Sequence, residues 1–237
     1  METETAAVRE AKAGLREALF GNSDEAHQHV TAALALSGGR KVQAVAGLAL
    51  ALAGDSARAS AISRNLTEAF PQDTLVQFNY LPTLQAQLAI DRKDPSRALE
   101  ALEVASNYEL GRAFTSDMPP AMCPVYVRGE AYLAARRGSQ AAAEFQKILD
   151  HPGLVLNEPI GALARLGLAR AYALEAGSTG GTAVRERGGA TGGTPVPEPE
   201  ALAKARAAYQ DFLTLWKDAD PDIPILKQAK AEYARLR

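Results

Sequence analysis

Cysteine occurs once, at Cys123, so the chain has no internal disulfide and no CxxC pair to hold a metal or cycle electrons. That usage suits a reducing compartment, and the expected role of Cys123 is that of a small buried hydrophobe. Aromatic residues reach only 6% and β-branched residues are scattered, which argues against a sheet protein. Neither charge sign is in excess: 26 basic side chains stand against 28 acidic ones, for a formal charge of −2. No basic stripe interleaved with aromatics appears, so nucleic acid is not the expected partner. Long apolar runs are missing too. The longest, residues 42–53, is shorter than the roughly 20 residues that cross a bilayer. The charged, amphipathic start lacks the apolar segment of a signal peptide. The expectation is a cytoplasmic chain with no membrane segment.

Catalytic patterns are also missing. There is no GxSxG, no HExxH, and no HRD or DFG pair, and the glycines of residues 177–193 are not followed by GK[ST]. His27 and His29 lie two apart on a helix and point to different sides, so they do not share a metal. Asp218, Asp220 and Asp222 imitate the start of a calcium loop. Ile223 stands where that loop needs Gly, and Ala229 where it needs Glu. No metal, no cofactor and no enzymatic activity are expected.

Alanine dominates what is present, as suits helices packed closely through small side chains. The segments FGNSDEAHQHVTAAL, LAGDSARASAISRNL, DRKDPSRALEALEVA and ARRGSQAAAEFQKIL share one plan. Each has a turn, a polar helix start, then Ala followed four positions later by a second side chain. The pairs are Ala26/Val30, Ala59/Ser63, Ala98/Leu102 and Ala141/Phe145, with a fifth at Ala205/Tyr209. A small residue stands twelve positions before each of the first four alanines, at Gly14, Gly47, Ala86 and Gly129. Gly129 and Ala141 are expected to face each other, with Tyr132 and Phe145 largely buried. Asp55, Asp94 and Ser139 are expected to cap second helices. Asp73 should open a longer first helix that Pro82 kinks or breaks.

This plan resembles the tetratricopeptide repeat, most clearly over residues 122–155, where Arg136 replaces the usual turn glycine. The resemblance implies an all-α, right-handed α-α superhelix of helix pairs forming one solenoid. Its units fall near residues 7–40, 40–73, 79–112, 122–155 and 162–217, with a capping helix over residues 222–237. Residues 107–120 read as a surface loop. Residues 178–198, rich in Gly, Thr and Pro, read as a disordered insert between a first helix ending near Ala176 and a second starting near Pro199.

In such arrays the first helices line a concave groove. The matching positions here are Tyr80, Thr83 and Gln87, then Cys123, Tyr126 and Glu130, then Leu166 and Arg170. The groove is expected to take a peptide or protein partner. The Lys and Asn that clamp a C-terminal carboxylate in one branch of the family are not matched. The run from PVYVRGEAYLAARRGSQAAAEFQKIL to ARAAYQDFLTLW also resembles the C-terminal helical-repeat region of bacterial serine/threonine protein kinases of the eukaryotic-like type. That resemblance implies, as an alternative to a free-standing scaffold, a regulatory or sensing region whose kinase domain lies elsewhere on a parent polypeptide.

Overall fold

The computed structural model describes residues 2–111, 122–182 and 199–236. Among them every regular element is helical. The first pair is α1 (Glu2–Phe20) and α2 (Ser23–Leu36), and the second is α3 (Arg40–Leu52) and α4 (Ser56–Ala69). A π turn (Val76–Tyr80) leads into α5 (Leu81–Asp91), which pairs with α6 (Pro95–Leu102) and a short 3-10 turn. Then come α7 (Cys123–Ala134), α8 (Gly138–Asp150), the one-turn α9 (Pro152–Val155) and α10 (Pro159–Thr182). The series ends with α11 (Pro199–Leu215) and α12 (Pro224–Ala234). The two helices of each pair pack on each other, α3 also packs broadly on α1 and α8 on α10, and α1, α3, α5, α7 and α10 touch in series.

One turn recurs at the junction of the first four pairs. Gly21, Gly54, Lys93 and Arg136 all adopt positive φ, at 89°, 87°, 63° and 56°. In each case the next residue donates its N–H five positions back: Asn22 to Glu17, Asp55 to Leu50, Asp94 to Ala89 and Arg137 to Tyr132, at 2.8–2.9 Å. This is the Schellman closure, which satisfies carbonyls left over at a helix end. Two of the four turns place a long side chain where glycine is cheapest.

Beyond the turn, Asp55 and Asp94 cap as expected, accepting from the backbone N–H of Arg58 and Arg97 at 3.0 and 3.1 Å. Ser139 does not cap, because the helix already begins at Gly138 and Arg137 holds the cap position. Asp73 accepts from the N–H of Val76 and opens the third pair. Pro82 does not break that helix. A proline lacks an N–H and crowds the carbonyl four residues back. The π turn immediately before it widens the coil, and Thr83 Oγ1 bonds the Asn79 carbonyl at 2.6 Å.

Burial separates the two kinds of helix. α3 is buried continuously from Val42 to Ala51, and α7 from Cys123 to Gly129, because helices pack around them. The second helices bury one stripe each: Ala26, Val30 and Ala33 in α2, Ala59, Ser63 and Leu66 in α4. Gly129 does not face Ala141 most closely; it lies against the Phe145 ring. Phe145 is fully buried, whereas Tyr132 is half-buried, with the Arg137 guanidinium over its ring at 4.8 Å.

The two ends of the series touch. α12 contacts α1, and Phe20 stands edge-on to Trp216 at 5.0 Å; Lys12 of α1 also pairs with Glu158, just before α10, at 2.6 Å. Residues 107–111 are not purely surface, since Glu109 is fully buried. It accepts from Arg128 at 2.7 Å and pairs with Lys147. The rest of the expected loop, residues 112–120, lies outside the described residues. So does the expected insert from residue 183 onward. Its first residues continue α10 to Thr182, past the expected end near Ala176. No proline interrupts residues 177–182, and extending an existing helix fixes one residue per hydrogen bond.

Candidate functional site

Tyr126 and Glu130 lie one turn apart on α7 and therefore share a face. Arg170 reaches the same place from α10. These are three of the eight groove positions expected from the sequence, and the fold brings them together. Tyr80, Thr83 and Gln87, on α5 and the π turn before it, are buried, as is Tyr126. Tyr80 belongs to a small core with Ala44, Leu66, Val76 and Leu81, and burial pushes its hydroxyl up to about 12. Gln87 donates to Asp91 at 3.0 Å. Leu166 is in the main core. Cys123 is there too, and burial, reinforced by the Glu158 charge, pushes its thiol up to about 12. Such a thiol is a packing group, not a nucleophile.

Arg170 is fixed by a residue that its own helix pair does not contain. Its Nε and Nη2 donate to the two carboxylate oxygens of Glu232 on α12, at 3.0 and 3.1 Å. Tyr209, on α11, donates its hydroxyl to the same carboxylate at 2.9 Å. Two parallel N–H bonds hold the guanidinium plane rigid. Burial works against the charge of Arg170, but the hydrogen bonds to Glu232 and the nearby Glu130 outweigh it.

Glu130 is the unusual member. The Tyr126 hydroxyl lies close to its carboxyl. Its Oε1 is shielded from solvent and has no hydrogen-bond partner among the described residues. Burial raises its pKa above the usual carboxylate range, opposed by the charge of Arg170 and by the Tyr126 hydroxyl. Tyr126 in turn lies well above the normal phenol range, through burial and the neighbouring Glu130 charge. Two acidic groups and one guanidinium thus share a semi-buried patch in which one acceptor is unused.

Glu232 and Tyr209 were not foreseeable as members of this patch. Glu232 lies 62 positions from Arg170, and no local spacing relates them. The histidines face different neighbours, as their spacing requires: His29 Nδ1 lies 2.7 Å from Glu10, and His27 Nε2 is 3.9 Å from Asp55. Asp220 accepts from the Asp222 N–H in a turn, and Asp222 pairs with Lys227 at 2.8 Å, so these aspartates shape the approach to α12.

No family model matches the sequence, and a search of curated proteins finds no match. No described helix is long and apolar enough to cross a membrane.

Proposed function

We propose that this chain is a non-catalytic interaction module of tetratricopeptide type, binding a peptide or protein partner at the Tyr126–Glu130–Arg170 patch. The observation that carries the reading is the unused Glu130 oxygen. A buried acceptor without a donor costs about 1–3 kcal/mol, and an incoming N–H or ammonium would recover it. The four equivalent turns support the repeat reading, since each closes one helix pair in the same way. The occupant that suits the patch carries a lysine, an arginine or a free backbone N–H.

The reading is tested by panning a displayed random-peptide library on the full chain and titrating the enriched peptides. Basic peptides should be recovered, and Glu130→Gln should weaken them about tenfold, the loss of one charge-assisted contact. Recovery of no peptide, or of peptides indifferent to Glu130→Gln, overturns it.

A further inference from the structure

A second surface, between α4, α5 and α6, carries cationic groups that the patch around Glu130 does not use. Arg64 from α4, Arg92 at the end of α5 and Arg97 from α6 line one crevice of about 440 Å³ with Ser60, Ser63 and Gln85. The three arginines come from three different helices, so only the packing of α4 and α6 against α5 brings them together.

Several arginines elsewhere in the protein are paired with carboxylates. Arg40 pairs with Asp73, Arg128 with Glu109 and Glu144, and Arg170 with Glu232. Arg64, Arg92 and Arg97 make no ion pair with a carboxylate among the described residues. Arg92 donates to Ser60 Oγ at 3.4 Å, a neutral contact that turns its guanidinium toward α4. Asp94 is the one carboxylate in the lining, and its Oδ1 is engaged by the backbone N–H of Arg97 at 3.1 Å. Three cations against one carboxylate leave the crevice with a net positive charge, and a bound anion would relieve the repulsion among the arginines.

We propose that this crevice recognises a phosphate monoester carried on a peptide, as phosphoserine or phosphothreonine. The phosphate carries close to two negative charges and three acceptor oxygens, which matches several guanidinium forks better than a singly charged carboxylate does. The hydroxyls of Ser60 and Ser63 and the Gln85 amide supply further neutral donors. A nucleotide is the poorer fit, because no aromatic side chain lines the crevice to stack a base. A peptide is favoured by the surface beyond: the depression continues along α6 past Arg97 to Ser96 and Glu100. Glu100 there favours a basic residue close to the phosphorylated one.

The test uses the full chain and two oriented peptide libraries, alike except that the fixed central residue is phosphoserine in one and serine in the other. The phosphoserine library should be retained at least about tenfold better, as expected for charge-assisted contacts. Selected positions should favour Lys or Arg, and Arg64→Gln with Arg97→Gln should abolish the preference. Both residues are exposed, so the double variant should keep the wild-type melting curve. Equal retention of the two libraries overturns the proposal, as does a phosphoserine preference that survives the double variant. Inorganic phosphate binding as tightly as the selected peptides overturns the peptide assignment and leaves a small-anion site. The readout that separates the two sites is the ratio of phosphoserine to serine retention: Glu130→Gln should leave that ratio unchanged even where it weakens basic peptides of both libraries, so the two sites stand or fall separately.

Discussion

Phe145 and Gly167 are in such close contact that a Cβ built on the glycine would stand 2.5 Å from the ring. Gly129, on the other neighbouring helix, leaves only 2.7 Å to the same ring. The aromatic side chain of α8 is thus held between glycines of α7 and α10, and it is where the fourth and fifth pairs are joined. Gly167→Ala and Gly129→Leu should each destabilise the protein by about 1–3 kcal/mol through overpacking. Gly38, with nothing within 4 Å of its would-be Cβ, is the control, and its alanine variant should change stability by less than about 1 kcal/mol. Denaturant midpoints measure all three.

The positive φ of Arg136 gives a prediction of opposite sign. A residue with a Cβ is disfavoured in the left-handed region by about 1–2 kcal/mol. Arg136→Gly should therefore raise stability, by about 1 kcal/mol after the greater freedom of glycine in the unfolded chain is counted. Lys93→Gly should behave alike. A loss of stability on both substitutions would show that these turns are held by the side chains.

Glu130 governs a pH effect whose sign follows from its burial. Its folded pKa is raised, so the folded protein binds the proton more tightly than the unfolded chain does. The associated stability is fully present below the unfolded carboxylate range and is lost as pH rises through the folded value. Glu130→Gln removes that loss. Relative to wild type, the variant should gain stability progressively from pH 4 to pH 8, as read from paired melting curves. A difference independent of pH would show that Glu130 titrates normally.

The Glu109–Arg128 pair should be sensitive to losing one member. Glu109 is fully buried, and Arg128 also donates to the Leu102 carbonyl at 3.2 Å and to Glu144 at 3.0 Å. Removing one partner of a buried pair strands the other, at a cost of about 3–5 kcal/mol. Glu109→Ala should lose less than that, because Arg128 keeps Glu144 and the Leu102 carbonyl, and Glu109→Leu combined with Arg128→Met should lose less than Arg128→Met alone. Chemical denaturation of the single and double variants separates the two outcomes.

What the sequence determined by itself is the local part of this protein. Alanine-rich segments, the Asp55 and Asp94 caps and the Gly21 and Gly54 turns act between residues a few positions apart. Helix pairs were legible for that reason. The turns at Lys93 and Arg136, placed by the shared segment plan, take the same shape without glycine because the helices on either side hold them there. Only the tertiary structure decided which polar groups lose their water. α12 returns to touch α1, and Glu232 comes to Arg170. Glu109 is drawn beneath Arg128, and α4, α5 and α6 bring Arg64, Arg92 and Arg97 to one crevice. Each of these depends on packing between elements far apart in the chain. Periodicity specifies which face of a helix is apolar, but not which distant side chain will meet it.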